Sequence, residues 1–153
     1  MATPIPNWQS LWANYPRGSA AEVKKLIGGN VNVDWIQNTC TIRMSRAFNY
    51  ASDPIPAKYP GLNVVSGADK KWYAYRVAEF RKYLEAKYGM ASIDVKKSGV
   101  MGVPKDSFKG NSGIICFRVS IWSDATGHFD VWNGVNCRYE EYFAQSDEAW
   151  LWI

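Results

Sequence analysis

Residues 114–134 read IICFRVSIWSDATGHFDVWNG, and this stretch carries the strand pattern that decides the fold. Residues 114–122 are rich in β-branched and aromatic side chains, which is typical of a buried strand. Residues 127–132 alternate between polar and apolar side chains and precede Asn133-Gly134, a dipeptide that favours a two-residue hairpin turn. We therefore predict antiparallel strands here, with a last strand over residues 150–153.

The sequence before this stretch indicates helices. Ser19 is placed to cap one of them, and Asn38 or Thr39 is placed to cap another whose first turn contains Cys40. The periodicity of apolar residues predicts helices over residues 8–15, 20–27, 40–52 and 69–88. Helices followed by an antiparallel sheet define an α+β fold, which we expect to form a single domain over residues 1–153.

The composition describes a globular protein of 153 residues, of which 47% are hydrophobic and 21% are charged. The net charge of +4 is small and the basic residues are dispersed, so no nucleic-acid groove is expected. No apolar run approaches the roughly 20 residues that span a bilayer. The start, MATPIPNWQSLW, lacks a charged leader with an apolar core, so we do not expect export by the general secretory route.

His128 is the only histidine in the sequence, and it follows Gly127 at the start of a predicted strand. Cys40 lies at the predicted N-terminus of a helix, where unpaired N–H groups stabilise a thiolate. A cysteine at a helix tip with a histidine on a later strand is how papain-like sites are assembled, and the imidazole activates the sulfur. The competing interpretation is a buried cysteine and an incidental histidine.

The other cysteines and the lone histidine bear on metal binding. Cys116 lies within an apolar run and is interpreted as core, and Cys137 lies just beyond the predicted turn and is interpreted as structural or without a role. An odd number of cysteines without a CxxC pair does not indicate a zinc site. We expect neither a metal nor a cofactor.

Five segments follow one another from about Leu26 to Ile153: LIGGNVN, IQNTCTIRMSRAFNYA, SGADKKWYAYRVAEF, GHFDVWNG with Cys137 after it, and the closing LWI. Together they resemble the family-4 amidase effectors of the type VI secretion system. The resemblance implies an NlpC/P60-type papain-like fold, with the catalytic cysteine at a helix N-terminus packed on an antiparallel sheet. It also implies hydrolysis of the amide between D-glutamate and meso-diaminopimelate in peptidoglycan peptide stems.

The same resemblance implies a route and a partner. The protein would be secreted without a signal peptide by a type VI-like system and would act in the periplasm of a target bacterium. A cognate immunity protein would protect the producing cell and its kin.

Residue by residue, Cys40 matches the nucleophile of the family and His128 matches its base. The acid of the family lies about eleven residues after the histidine, where this sequence has Tyr139, followed by Glu140 and Glu141. The second loop cysteine of the family is missing, with Glu141 near its place. Cys137 therefore has no obvious local disulfide partner.

Asp130 offers another source of the acid. It lies two residues after His128, so on a strand both side chains point to the same face, about 7 Å apart along the chain. A carboxylate beside the imidazole fixes its tautomer and stabilises its protonated form. We prefer Asp130 as the third catalytic residue and keep Glu140 as the alternative; a solvated strand residue is the competing interpretation of Asp130.

The remaining expectations concern the reacting carbonyl and the cleft. The Cys40 backbone N–H and the side-chain amide of Gln37 or Asn38 are candidates to stabilise the oxyanion, with helix capping as the competing role of both amides. Trp122 and Trp132 are the tryptophans expected nearest the site. Two other functions remain open: a non-catalytic module that binds cell wall, and a papain-like cysteine enzyme with another amide substrate.

Overall fold

A computed structural model describes residues 3–122 and 127–153 of the chain. The described residues form four α-helices: α1 Trp8–Asn14, α2 Ala20–Ile27, α3 Cys40–Tyr50 and α4 Val77–Tyr88. They also form six strands: β1 Val64–Ser66, β2 Trp72–Ala74, β3 Ile93–Lys96, β4 Gly113–Arg118, β5 Gly127–Trp132 and β6 Glu148–Trp152. The predicted α+β class is confirmed.

Helix α2 begins where the sequence predicted. The Ser19 hydroxyl accepts a hydrogen bond from the Glu22 N–H, and the Glu22 carboxylate accepts one from the Ser19 N–H. This reciprocal pair satisfies two N–H groups that a helix N-terminus otherwise leaves without partners.

Helix α3 is the central helix of the fold. It packs against α1, β2 and β5, and of its 11 residues only Arg46 and Tyr50 are not buried. Met44, Ala47 and Phe48 join the largest hydrophobic core. Because the helix is enclosed on several sides, its N-terminus is held in a fixed position next to the sheet.

The main sheet is antiparallel and has the strand order β3-β6-β4-β5, so β5 lies at an edge. Phe129 and Val131 of β5 belong to the core that contains α3. Side chains alternate along a strand, so His128 and Asp130 share the other face of β5. Their partners on β4 are Phe117 and Ile115.

The helix predicted over residues 69–88 is wrong in its first part. Gly67 and Lys71 close a hairpin turn, and the Asp69 carboxylate accepts the Lys71 N–H within it. β2 then pairs with β1. Tyr73 is fully buried and donates its hydroxyl to Asp69, so tertiary packing outweighs the helical spacing of the aromatic residues.

The two strands predicted within residues 114–134 also end differently from the prediction. β4 stops at Arg118, because the Ser120 N–H donates to the Asp147 carboxylate and a turn follows. After β5 the turn is four residues wide: the Asn133 N–H donates to Asn136 and a single bridge joins Trp132 to Cys137. The chain beyond this turn folds back over β5.

Candidate active site

Cys40 is the first residue of α3. Its N–H donates to the Asn38 side-chain oxygen at 3.0 Å, and the Asn38 amide nitrogen donates to the Gly127 carbonyl at 3.1 Å. Asn38 therefore ties the start of the helix to the start of β5. The N–H groups of Thr41 and Ile42 have no acceptor among residues 3–122 and 127–153, which leaves the partial positive charge of the helix terminus uncompensated there.

His128 lies on the strand beside this helix tip and is 5% exposed. Its ring is enclosed by Phe117, stacked at 6.2 Å, and by Tyr142, edge-on at 5.1 Å. Its Nε2 contacts the Asp130 carboxylate at 2.7 Å. Burial lowers the pKa of His128, but Asp130 and the nearby Cys40 sulfur outweigh that effect and raise the pKa to about 9.

Asp130 is fully buried and is held from several directions. Besides His128, its two oxygens accept the N–H groups of Val131 at 2.8 Å, Tyr139 at 3.2 and 3.3 Å, and Glu140 at 3.0 Å. Every one of these partners is a donor. These donors fix the position of the carboxylate against the imidazole.

An open cleft of about 330 Å³ brings Cys40 and His128 together with both amide candidates. Gln37 is exposed on the cleft and its side chain has no hydrogen-bond partner among the described residues. The Cys40 N–H is engaged by the Asn38 side-chain oxygen, so this expected oxyanion donor is not free in this structure. The Asn38 amide nitrogen donates one of its two hydrogens to Gly127, whereas the Gln37 amide has neither of its hydrogens engaged among the described residues.

Glu140 also lines the cleft, but it stands in a different relation to His128. Its backbone N–H donates to Asp130, and its carboxylate accepts the Tyr142 hydroxyl. The contact to the imidazole is made by Asp130. Of the two carboxylates considered from the sequence, Asp130 is the one in hydrogen-bond contact with His128.

Of the two tryptophans expected near the site, only Trp122 lines the cleft, where it packs edge-on against Tyr142 at 4.7 Å. Trp132 is fully buried in a different part of the core and donates to the Phe108 carbonyl. The expectation for Trp132 was wrong because its face of β5 is covered by the segment around Phe108 and Phe143.

Cys116 and Cys137 are free thiols. Cys116 is buried in β4, as predicted, and burial raises the pKa of its thiol. Cys137 is half-buried, and burial likewise raises its thiol pKa. Neither lines the cleft.

Sequence reasoning missed Arg43, which also lines the cleft although it is only 2% exposed. It lies three residues after Cys40 and therefore on the same side of α3. A charged residue within a helix that is otherwise enclosed was the available signal. Tyr142 was missed because it reaches the site through the turn after β5, and Tyr139 was noted from the sequence for its position and not for its ring, which lines the cleft.

Residues 3–122 and 127–153 contain neither a metal-ligand cluster nor a helix fit to span a membrane. No group of three or more histidine, cysteine or acidic side chains is arranged to hold a metal ion. None of the helices in these ranges combines the length and the apolarity that a membrane span needs.

The fold and the cleft define an α+β domain with a cysteine at a helix tip and a buried histidine–aspartate pair on the adjacent edge strand. The model of the type VI secretion system amidase effector protein 4 family, Tae4, matches residues 36–152. The chain belongs to this family of amidase effectors. No match was found among curated proteins.

Solved structures agree with this assignment. Tae4 from Salmonella typhimurium, in complex with the immunity protein Tai4 from Enterobacter cloacae, has 33% sequence identity and a TM-score of 0.88, with 97% of this chain and 99% of that chain covered. Tae4 from Enterobacter cloacae has 33% identity and a TM-score of 0.88, with 99% and 98% covered. The Tae4–Tai4 complex from Salmonella Typhimurium has 34% identity and a TM-score of 0.86, with 97% and 98% covered.

Proposed function

We propose that this amidase effector is a papain-like cysteine hydrolase of the NlpC/P60 type. Its substrate is the amide between D-glutamate and meso-diaminopimelate in peptidoglycan peptide stems, with Cys40 as nucleophile, His128 as base and Asp130 as the residue that orients the base. The observation that carries the proposal is that His128, paired at 2.7 Å with the buried Asp130, lines one cleft together with a cysteine at a helix N-terminus.

The electrostatics support a thiolate–imidazolium pair. The helix terminus favours negative charge on Cys40, and Asp130 favours positive charge on His128. Because Nε2 is bonded to Asp130, Nδ1 is the ring nitrogen left to face the sulfur. The imidazole therefore holds a proton that it can deliver to the leaving group.

The reaction follows in two stages. The Cys40 thiolate attacks the amide carbonyl, a C–S bond forms, and the carbonyl oxygen becomes an oxyanion. The C–N bond then breaks as His128 gives its Nδ1 proton to the leaving amine. In the second stage neutral His128 takes a proton from water and the resulting hydroxide attacks the thioester carbonyl. The C–S bond breaks, the carboxylic acid product leaves and loses its proton to solvent, and Cys40 and His128 return to the thiolate and imidazolium forms.

Gln37 is the proposed side-chain donor to the oxyanion, since its amide is exposed on the cleft. The Cys40 N–H contributes only after it exchanges the Asn38 oxygen for the substrate oxygen. This exchange is consistent with catalytic hydrogen bonds that tighten only when substrate is bound.

The family and its structural neighbours support a biological setting. We infer that a type VI secretion system delivers the protein, that it acts on the wall in the periplasm of the target cell, and that a cognate immunity protein binds it. The Salmonella and Enterobacter relatives were solved in complexes with the immunity protein Tai4.

Incubation of the purified protein with peptidoglycan fragments tests the activity, with released diaminopimelyl products identified by mass spectrometry. We expect Cys40→Ala to abolish release while the far-UV spectrum and melting temperature remain close to those of the unsubstituted protein. Cys137→Ala is the matched control, because Cys137 lies outside the cleft and its hydrogen bond to Glu141 uses the backbone. Full activity of Cys40→Ala would exclude Cys40 as the nucleophile, and binding without cleavage by the unsubstituted protein would favour a wall-binding module.

A further inference from the structure

Apart from the Cys40 thiolate proposed above, Arg43 is a buried cation with no anion beside it among the described residues. Its side chain lines the cleft and is 2% exposed, yet no carboxylate among the described residues lies within ion-pair distance of it. Burying an unpaired charge is costly, and proteins ordinarily pair such groups. An anion bound in the cleft can therefore compensate the charge of Arg43.

The neighbours of Arg43 position its guanidinium without neutralising it. Nε donates to the Thr39 hydroxyl at 3.0 Å and Nη1 donates to the Pro16 carbonyl at 3.1 Å. The Tyr139 ring packs on the guanidinium at 4.1 Å from its centroid. Nη2 has no acceptor among the described residues, so one edge of the planar group keeps its donors unused.

The position relative to Cys40 gives this charge a function. Residues three apart on a helix lie on the same side, with Cβ atoms about 5–6 Å apart, and Arg43 and Cys40 line the same cleft. An arginine fork matches a carboxylate in shape and in donor geometry. A carboxylate bound there would belong to a substrate group very near the scissile bond.

We propose that Arg43 binds the glutamate carboxylate of the stem peptide that does not take part in the scissile amide. This inference rests on the proposed function and names the group by which the cleft selects its substrate. Glutamate has two carboxyl groups and only one enters the amide, so the other remains as a carboxylate near the reacting carbonyl. A stem in which that carboxylate is converted to a carboxamide loses the charge that Arg43 binds.

The test compares two synthetic stem peptides that differ only in this group, one with the carboxylate and one with the carboxamide. Their dissociation constants are measured by calorimetry on Cys40→Ala, which keeps the cleft and prevents turnover. We expect the carboxylate peptide to bind about 10- to 100-fold more tightly, the range for a hydrogen-bonded charge pair. Equal affinities would overturn the inference, and this is also the result expected if a carboxylate of the protein itself neutralised Arg43.

Substitutions of Arg43 test whether this residue causes the preference for the carboxylate peptide. In the same background, Arg43→Gln is expected to reduce the affinity ratio to near one, and Arg43→Lys is expected to keep part of it, because lysine retains the charge but loses the fork. Arg46→Gln is the matched control, since it removes the same charge from the same helix outside the cleft, where Arg46 packs over Tyr50. An unchanged ratio in Arg43→Gln would refute the assignment.

A purely structural role of Arg43 predicts a different pattern, in which Arg43→Gln weakens both peptides equally and lowers the melting temperature without changing their ratio. The unsubstituted protein separates the two proposals. Cleavage of neither peptide would refute the amidase proposal, whereas cleavage of both with equal kcat/KM would leave that proposal intact and overturn the role of Arg43.

Discussion

Replacement of Asp130 by asparagine is the sharpest test of how the site is organised. The two side chains have the same shape, so the change removes the charge and turns one acceptor atom into a donor. Every partner of the Asp130 carboxylate is itself a donor: the His128 ring on one oxygen and backbone N–H groups on both. An asparagine amide nitrogen must therefore face at least one N–H group.

Each orientation of the asparagine has its own cost. If the amide nitrogen replaces Oδ2, the Glu140 N–H loses its acceptor, His128 must accept at Nε2, and its proton moves to Nδ1 of a neutral ring. If it replaces Oδ1, the Val131 N–H loses its acceptor and the Tyr139 N–H keeps only Oδ2. One buried unsatisfied donor costs about 1–3 kcal/mol, and a hydrogen bond to a charged group contributes about 1.5–3 kcal/mol. We expect the free energy of unfolding to fall by about 2–4 kcal/mol and kcat/KM to fall by about 100-fold or more.

The assays are urea unfolding followed by tryptophan fluorescence, and hydrolysis of a stem peptide followed by mass spectrometry. Glu140→Gln is the matched control, because Glu140 contributes to Asp130 through its backbone N–H, and its carboxylate accepts the Tyr142 hydroxyl instead of contacting His128. We expect this variant to keep most of the activity. A larger loss in Glu140→Gln than in Asp130→Asn would refute the reasoning and make Glu140 the acid.

Three further predictions concern His128, Gln37 and Ser19. The pKa of His128 is raised from 6.5 to about 9, so protonation of His128 stabilises the fold fully below pH 6.5. This contribution, at most about 3 kcal/mol, is lost as pH rises to 9. Urea titrations should show this decline in the free energy of unfolding, and an equally steep decline in Asp130→Asn would contradict the prediction. Gln37→Ala should lower kcat by about 100-fold or more with little change in KM if Gln37 stabilises the oxyanion, and an unchanged kcat would exclude that role. Ser19→Ala should lower the free energy of unfolding by about 1 kcal/mol with activity retained, and a melting temperature equal to that of the unsubstituted protein would show that the cap contributes nothing.

The parts of the fold that the sequence predicted are those determined by local patterns. The Ser19 cap, the start of α3 at Cys40 and the position of β5 all follow from residue types within one element. The failures arose where distant contacts decide. The aromatic residues of β2 have helical spacing, but Tyr73 is buried through its pairing and its contact with Asp69. β3 is a short strand that was not predicted, because only its pairing with β6 distinguishes it from a loop.

The same distinction applies to the site. Cys40 and His128 could be singled out from a helix tip and a lone histidine, and Asp130 from the alternation of one strand. Asn38 was identified as a candidate, but its bond to Gly127 joins residues 89 positions apart and could not be foreseen. Arg43 was missed because its burial depends on Pro16 and Tyr139, which local sequence does not bring together with it.

The loop after β5 surrounds the Asp130 carboxylate on the strand with hydrogen-bond donors. The resemblance implies an acid at the position of Tyr139, where this chain supplies a backbone N–H to Asp130 and a ring to Arg43 instead. A fully buried carboxylate needs donors from more directions than one imidazole provides. The loop therefore supplies necessary N–H groups even though Tyr139 is not an acid. Glu141 holds this loop: its carboxylate accepts the Cys137 N–H at 3.0 Å and pairs with Lys105 at 2.7 Å. β5 thus carries the Asp130 carboxylate, and the loop, held by Glu141, donates the N–H groups that fix this carboxylate against His128.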